Sequence, residues 1–126
     1  MAAQLRRDGA ALVSVDLPPS LARDEAARQI ARVFSDLVSR LDRPGTLAVA
    51  GGETLRALCV ALGATSLDVH GQVAPGVPRS RMVGGGWDGV EIVSKSGAFG
   101  APELWRDLLA DNGIPVTART EKRILA

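Results

Sequence analysis

The stretch Thr46-Leu47-Ala48-Val49-Ala50-Gly51-Gly52-Glu53-Thr54 constrains this chain more than any other. A short apolar run reads as a buried strand, stops at two glycines and passes at once into a helical pattern. A strand that turns straight into a helix belongs to a βα unit, with the helix folding back over the sheet. The same junction is a ready anion site. Glycines let backbone N–H groups come close to a phosphate, and the first helical turn adds free N–H groups and the positive end of the helix dipole. The Gly51-Gly52 pair serves equally well as a plain tight turn, so the local sequence leaves both readings open.

The rest of the chain supplies partners for that unit. Residues 10–15 are apolar and β-branched, and Pro18-Pro19 then ends the run because prolines cannot continue a ladder. Apolar residues from Ala26 through Ile30, Phe34 and Leu37 to Leu41 recur at helical spacing. They predict a helix over residues 23–41, capped by Ser20 or Asp24 and stopped by Pro44-Gly45. Leu55, Leu58, Cys59 and Leu62 predict a second helix over residues 54–62, closed by Gly63. A third is predicted over residues 102–111, where Pro102 suits the first helical position.

Residues 47–50 are expected as an interior strand, and residues 66–69, 80–83 and 89–94 as short strands. His70 reads as a surface residue at a loop end, and Pro75-Gly76-Val77-Pro78 as a rigid, shaped loop. Gly84-Gly85-Gly86-Trp87-Asp88 reads as a hairpin-like connection with Trp87 packed on its rim. Lys95-Ser96-Gly97-Ala98-Phe99-Gly100 is a second place where a strand end runs into a glycine loop. The tail from Ile114 onward reads as a weak edge strand or a frayed end. This order predicts an α/β fold: a single domain with a mixed, largely parallel sheet flanked by helices. In open α/β sheets ligands sit beyond the carboxyl ends of the strands, which singles out the loops after Ala50 and Ser94.

Composition narrows the function. The 126 residues, 46% of them apolar, have the length of one domain and suffice for a core. Fifteen basic and 14 acidic residues give a net charge of +1, without the basic excess of a protein that binds nucleic acid or a membrane surface, and neither partner is expected. The single cysteine, Cys59, excludes an intrachain disulfide and a cysteine zinc site, and its place on an apolar helix face predicts an inert thiol. His70 is the only histidine, so no metal centre with imidazole or thiolate ligands is expected. No apolar run approaches the ~20 residues of a membrane span, and a cytoplasmic location is expected. Only Lys95 and Lys122 are lysines, which makes Lys95, at the mouth of the second glycine loop, a candidate point charge for phosphate.

Three motifs stand in order: Gly51-Gly52-Glu53-Thr54, Ala74-Pro75-Gly76-Val77-Pro78 and Lys95-Ser96-Gly97-Ala98-Phe99-Gly100. In that order and at about this spacing they resemble the C-terminal nucleotide-binding domain of the four-carbon acid sugar kinases, which phosphorylate threonate, erythronate or oxo-tetronate with ATP. The resemblance spans roughly residues 10–109. It implies that Gly51, Gly52, Glu53 and Thr54 form a phosphate-side loop and that Lys95, Ser96 and Gly97 belong to a second ATP-contacting loop. Glu53 beside phosphates is unfavourable unless a metal ion or water intervenes, and Mg²⁺ would resolve it.

The chain departs from the family pattern at Ala98, where Asn is usual, and at Arg79, where Trp is frequent. The family's sugar-acid domain, its catalytic base and its early Gly/Ser-rich ATP contact have no counterpart here. The resemblance therefore implies a nucleotide-binding domain over residues 1–126, truncated at its start, that needs a separate sugar-acid-binding domain or subunit and has no catalytic residue of its own. Loss of a packed neighbour also predicts exposed apolar surface and, with it, self-association or a protein partner. A non-catalytic nucleotide-binding or interaction module, and a remnant whose glycines serve only turns, are the alternatives.

Overall fold

The computed structural model describes residues 9–97, 103–111 and 121–125. The chain divides into two compact units, residues 22–100 and the two chain ends. In the unit of the chain ends, β1 (Leu12–Asp16) pairs in parallel with β6 (Glu121–Leu125), so the weak tail strand finds a partner. The third helix in chain order is Leu104–Asp111, within the expected 102–111; Pro102, expected at its first position, lies outside the described residues.

The larger unit holds α1 (Arg23–Ser39), β2 (Thr46–Ala50), α2 (Gly52–Leu62), β3 (Ser66–Ala74), β4 (Val77–Val83) and β5 (Glu91–Lys95); the Leu104–Asp111 helix is α3. Its four-stranded sheet runs β2-β5-β4-β3. β2 and β5 are parallel, while β5 with β4 and β4 with β3 are antiparallel. The sheet is mixed, as expected, with a smaller parallel share than strand–helix alternation implies, because β3, β4 and β5 follow one another through hairpins without a crossover helix.

β2 is an end strand of this sheet, which corrects the expected interior position. Its apolar side chains are nevertheless covered: Val49 is buried and Leu47 half-buried, whereas Thr46, Ala48 and Ala50 on the other face are exposed. That alternation is the period-2 signature of a strand covered on one side. The cover comes from the helices. Val38 of α1 and Leu58 of α2 join Val49, Met82 and Ile92 of the sheet in one buried cluster, with Phe34 and Leu55 packed against it. Trp87 and Val90 complete it.

Trp87 is thus a core residue with 5% of its surface exposed, not a rim aromatic. The β4–β5 connection folds back onto the end of α2. Gly86 N–H donates to Leu62 O at 3.2 Å, and a Cβ on Gly85 would stand 2.0 Å from that same carbonyl oxygen. Gly85 has φ +78°, so glycine is required there on both counts.

α1 starts without a side-chain cap, after Ala22, so neither Ser20 nor Asp24 caps it, and it ends at Ser39, ahead of the expected residue 41. α2 closes at Gly63 in the left-handed region, where Gly63 N–H bonds Val60 O and Ala64 N–H bonds Cys59 O. Pro75-Gly76 is the β3–β4 hairpin turn, with Gly76 at φ +79° following proline, so the shaped loop expected there is a tight turn between two strands.

β3 is longer than expected and contains His70, which lies inside the strand at a register irregularity between Val69 and Gly71. There His70 Nε2 reaches Glu91 Oε2 at 3.0 Å, and Arg79 Nε lies 2.8 Å from Glu91 Oε1. The buried Arg79 Nε–H has no acceptor in hydrogen-bonding geometry, so the second pair is a contact of charges and not a directed bond.

Candidate functional site

β2 and β5 run side by side in the same direction, with Ala50 paired to Lys95. Both glycine loops therefore leave the sheet at the same end, beyond the carboxyl ends of adjacent strands. They are joined by a backbone hydrogen bond: Gly51 N–H donates to Lys95 O at 2.9 Å. Gly51, Gly52, Glu53 and Thr54 are thus brought beside Lys95, and Ser96 and Gly97 continue from it.

On the first loop, Gly51 is the residue before α2 and has φ 104°, ψ 124°, a conformation side chains rarely adopt. Its carbonyl accepts the first helical bond, from Leu55 N–H at 3.1 Å. No side chain caps the helix. The N–H groups of Gly52, Glu53 and Thr54 fall in the first turn, where helix geometry offers them no acceptor within the helix. Gly52 and Glu53 are exposed and Thr54 is half-buried. A Cβ on Gly52 would meet nothing within 4 Å, and its φ is ordinary. The backbone demand for glycine therefore falls on Gly51. At Gly52 the empty space itself is the notable feature.

On the second loop, the Lys95 ammonium folds over its own chain, donating to Ser96 O at 3.0 Å and Gly97 O at 2.7 Å. Lys95 thereby braces the loop as well as placing positive charge at this end of the sheet. Ser96 and Gly97 are exposed, and a Cβ on Gly97 would meet nothing within 4 Å. Ala98, Phe99 and Gly100 lie outside the described residues.

The arrangement offers backbone donors and a cation and, among the described residues, no nucleophile paired with a base. Cys59, on the same helix, is half-buried, and burial pushes its thiol above its ordinary value, which suits the inert role expected of it. Among the described residues no group of three or more His, Cys, Asp or Glu side chains is placed to hold a metal ion. No helix there is long and apolar enough to cross a membrane.

Comparison with known proteins points the same way as the geometry. Residues 4–104 match the family described as nucleotide-binding C-terminal domain. A 3-oxo-tetronate kinase of Cupriavidus necator is 36% identical over 84 residues, which is 67% of this chain and 18% of that protein. A D-erythronate kinase of Heliobacterium modesticaldum is 30% identical over 94 residues, 71% of this chain and 21% of that protein. The chain thus spans about a fifth of the length of these relatives. Among solved structures, a domain of unknown function from Bordetella bronchiseptica, a domain-swapped dimer with bound citrate, superposes with a TM-score of 0.61 at 27% identity, over 81% of this chain and 25% of that one. The chain belongs to the nucleotide-binding C-terminal domain family of the four-carbon acid sugar kinases.

Proposed function

We propose that this chain is the ATP-binding part of a kinase that phosphorylates a four-carbon sugar acid. The observation that carries the reading is the 2.9 Å bond from Gly51 N–H to Lys95 O, which fixes two glycine loops at one end of parallel strands. There the first-turn N–H groups of α2 receive phosphate oxygens, and Lys95 adds positive charge while holding the second loop in shape. Phosphoryl transfer rests on positioning and electrostatic stabilisation, and this chain supplies the half of both that faces the donor.

The residues present suit Mg²⁺ as the companion of ATP. Mg²⁺ is commonly held by one or two carboxylates together with substrate phosphates and water. Glu53 offers one exposed carboxylate in the first turn of α2 and Thr54, the next residue, a hydroxyl, and these two would hold the ion. Bound there, Mg²⁺ would neutralise the developing phosphate charge.

The acceptor and its base come from elsewhere, in a sugar-acid-binding domain or subunit; the chain's span of about a fifth of its relatives supports this. A homo-oligomer is part of the proposal, because the Bordetella bronchiseptica relative is a domain-swapped dimer and Val60 and Val69 leave 74% and 63% of their surface exposed here. A cytoplasmic setting goes with ATP as substrate. A binding module without catalysis is the second reading, favoured by the Lys95 ammonium being engaged with its own loop.

Calorimetric titration with ATP, with and without Mg²⁺, tests the proposal. Heat that requires Mg²⁺ and disappears in Gly52→Val is expected. Absence of heat and of any chemical-shift change at about millimolar ATP, the weak end of specific binding, leaves the fold without the ligand. Turnover on adding a sugar-acid-binding domain separates the kinase reading from the module.

A further inference from the structure

The four-stranded sheet ends on β3, so one edge of this nine-residue strand has no neighbouring strand among the described residues. Ser66, Asp68, Val69, His70, Gly71 and Gln72 are exposed on it. An open edge presents backbone N–H and C=O groups in a row, a template for another strand. Lysine or proline commonly guards such an edge, and β3 contains neither. It carries Val69 instead, an apolar side chain 63% exposed. Bulges can guard an edge too; the irregularity between Val69 and Gly71 leaves His70 outside the β4 register, where its ring meets Glu91 Oε2 at 3.0 Å.

We propose that β3 is the seat of a second copy of this chain, with two β3 strands lying antiparallel about a two-fold axis at Val69. The inference names the interface of the homo-oligomer in the reading above and rests on that part of it. Symmetry narrows the register. An axis perpendicular to the sheet keeps the helices of both copies on one face, and residues of like face then stand opposite one another only where the axis passes through a residue. An axis at Asp68 sets two carboxylates against each other, and an axis at His70 sets two imidazoles against each other. An axis at Val69 sets each Asp68 opposite the partner's His70, twice over, and lays the two exposed valines side by side. Of these three registers it alone makes the strand complementary to itself in both charge and apolar surface. Asp68 makes no ion pair among the described residues, although Arg81 lies across from it in β4. Both N–H groups of an imidazolium donate, so a ring held by Glu91 at Nε2 has Nδ1 to offer the partner's Asp68.

Sedimentation velocity and thiol cross-linking of the full chain test this. The wild type is expected to sediment as a dimer at high concentration and to dissociate on dilution. Val69→Lys changes an exposed residue and puts two like charges at the axis. It is expected to weaken the dimer at least about tenfold, more than the loss of one apolar contact, with an unchanged helical circular-dichroism signal. Cross-linking reads the register. Opposite residues of an antiparallel pair lie about 4.5–5.5 Å apart at Cα, within reach of a disulfide. In a Cys59→Ala background, Val69→Cys is expected to oxidise to a covalent dimer, whereas Gln72→Cys, about 20 Å from its own copy in this register, is not. A dimer that survives Val69→Lys, or that cross-links through Gln72→Cys and not through Val69→Cys, overturns the inference and leaves the oligomer standing. Dissociation by Val60→Lys alone moves the interface to α2 and overturns it equally. A wild type that stays monomeric up to about millimolar concentration, the weak end of specific association, removes the oligomer and this interface together, while calorimetry with ATP on the same sample still reads the nucleotide site.

Discussion

The backbone N–H of Gly51 donates to the carbonyl oxygen of Lys95, 2.9 Å away, so the residue that opens the first glycine loop is tied to the residue that opens the second. The two glycines of the first loop then do different jobs, and substitution separates them. Gly51→Ala forces a side chain into φ 104° and is expected to cost about 1–3 kcal/mol. Gly52→Ala sits at ordinary φ in open space and is expected to be neutral or to gain up to about 1 kcal/mol, because the unfolded chain loses freedom. Denaturant midpoints of the two variants measure the contrast; equal losses would refute it.

Trp87 is the second test. Its burial in the cluster with Leu58 and Ile92 predicts that Trp87→Ala costs about 3–5 kcal/mol. Its emission should be blue-shifted relative to that of the half-buried Trp105, which the Trp87→Phe variant isolates. A red-shifted Trp87 signal in the native protein would contradict the packing.

Glu91 joins His70 and Arg79 across three strands. The pairs are partly exposed, so Glu91→Gln is expected to cost only about 1 kcal/mol. The loss should shrink at high salt, where partly exposed charges are screened. A double-mutant cycle with His70→Ala reports the coupling, and a cycle that sums to zero would show the contact contributes nothing.

Cys59 supplies a pH test. Burial raises its thiol above the ordinary 9.0, so the folded thiol ionises later than the unfolded one. Alkylation of the native protein should therefore lag behind that of the unfolded chain through pH 9.0. Stability carries the matching sign: as pH climbs past 9.0 the unfolded thiol loses its proton first, and stability falls. Native and unfolded chains labelling at one rate would contradict the burial.

Much of this was legible in the sequence because it rests on local chemistry. The helical spacing of Leu55, Leu58 and Leu62 and the stop at Gly63 gave α2 to within its first residues, and the glycine runs marked the carboxyl ends of β2 and β5, where the two loops lie side by side. What escaped depends on contacts far apart in sequence. Nothing local says that Trp87 folds back against the end of α2, since that takes Gly85 lying against Leu62. Likewise, nothing local to His70 shows that β3 runs on through it, since the strand is made by pairing with β4 and its side-chain partner, Glu91, is 21 residues away. The positive φ falls on Gly51 and not on Gly52, a choice that two identical neighbours cannot reveal.

The helix α2 is fastened at both ends. At its start Gly51 is hydrogen-bonded to the last residue of β5, and at its end Leu62 O is bonded to Gly86 N–H in the connection that leads into β5. It acts as a strut spanning one strand from end to end, so sliding along its axis would break one bond or the other. A push on the Gly85–Trp87 corner is therefore delivered, through a rigid rod, to the Gly51-Gly52 turn at the opposite end of the sheet.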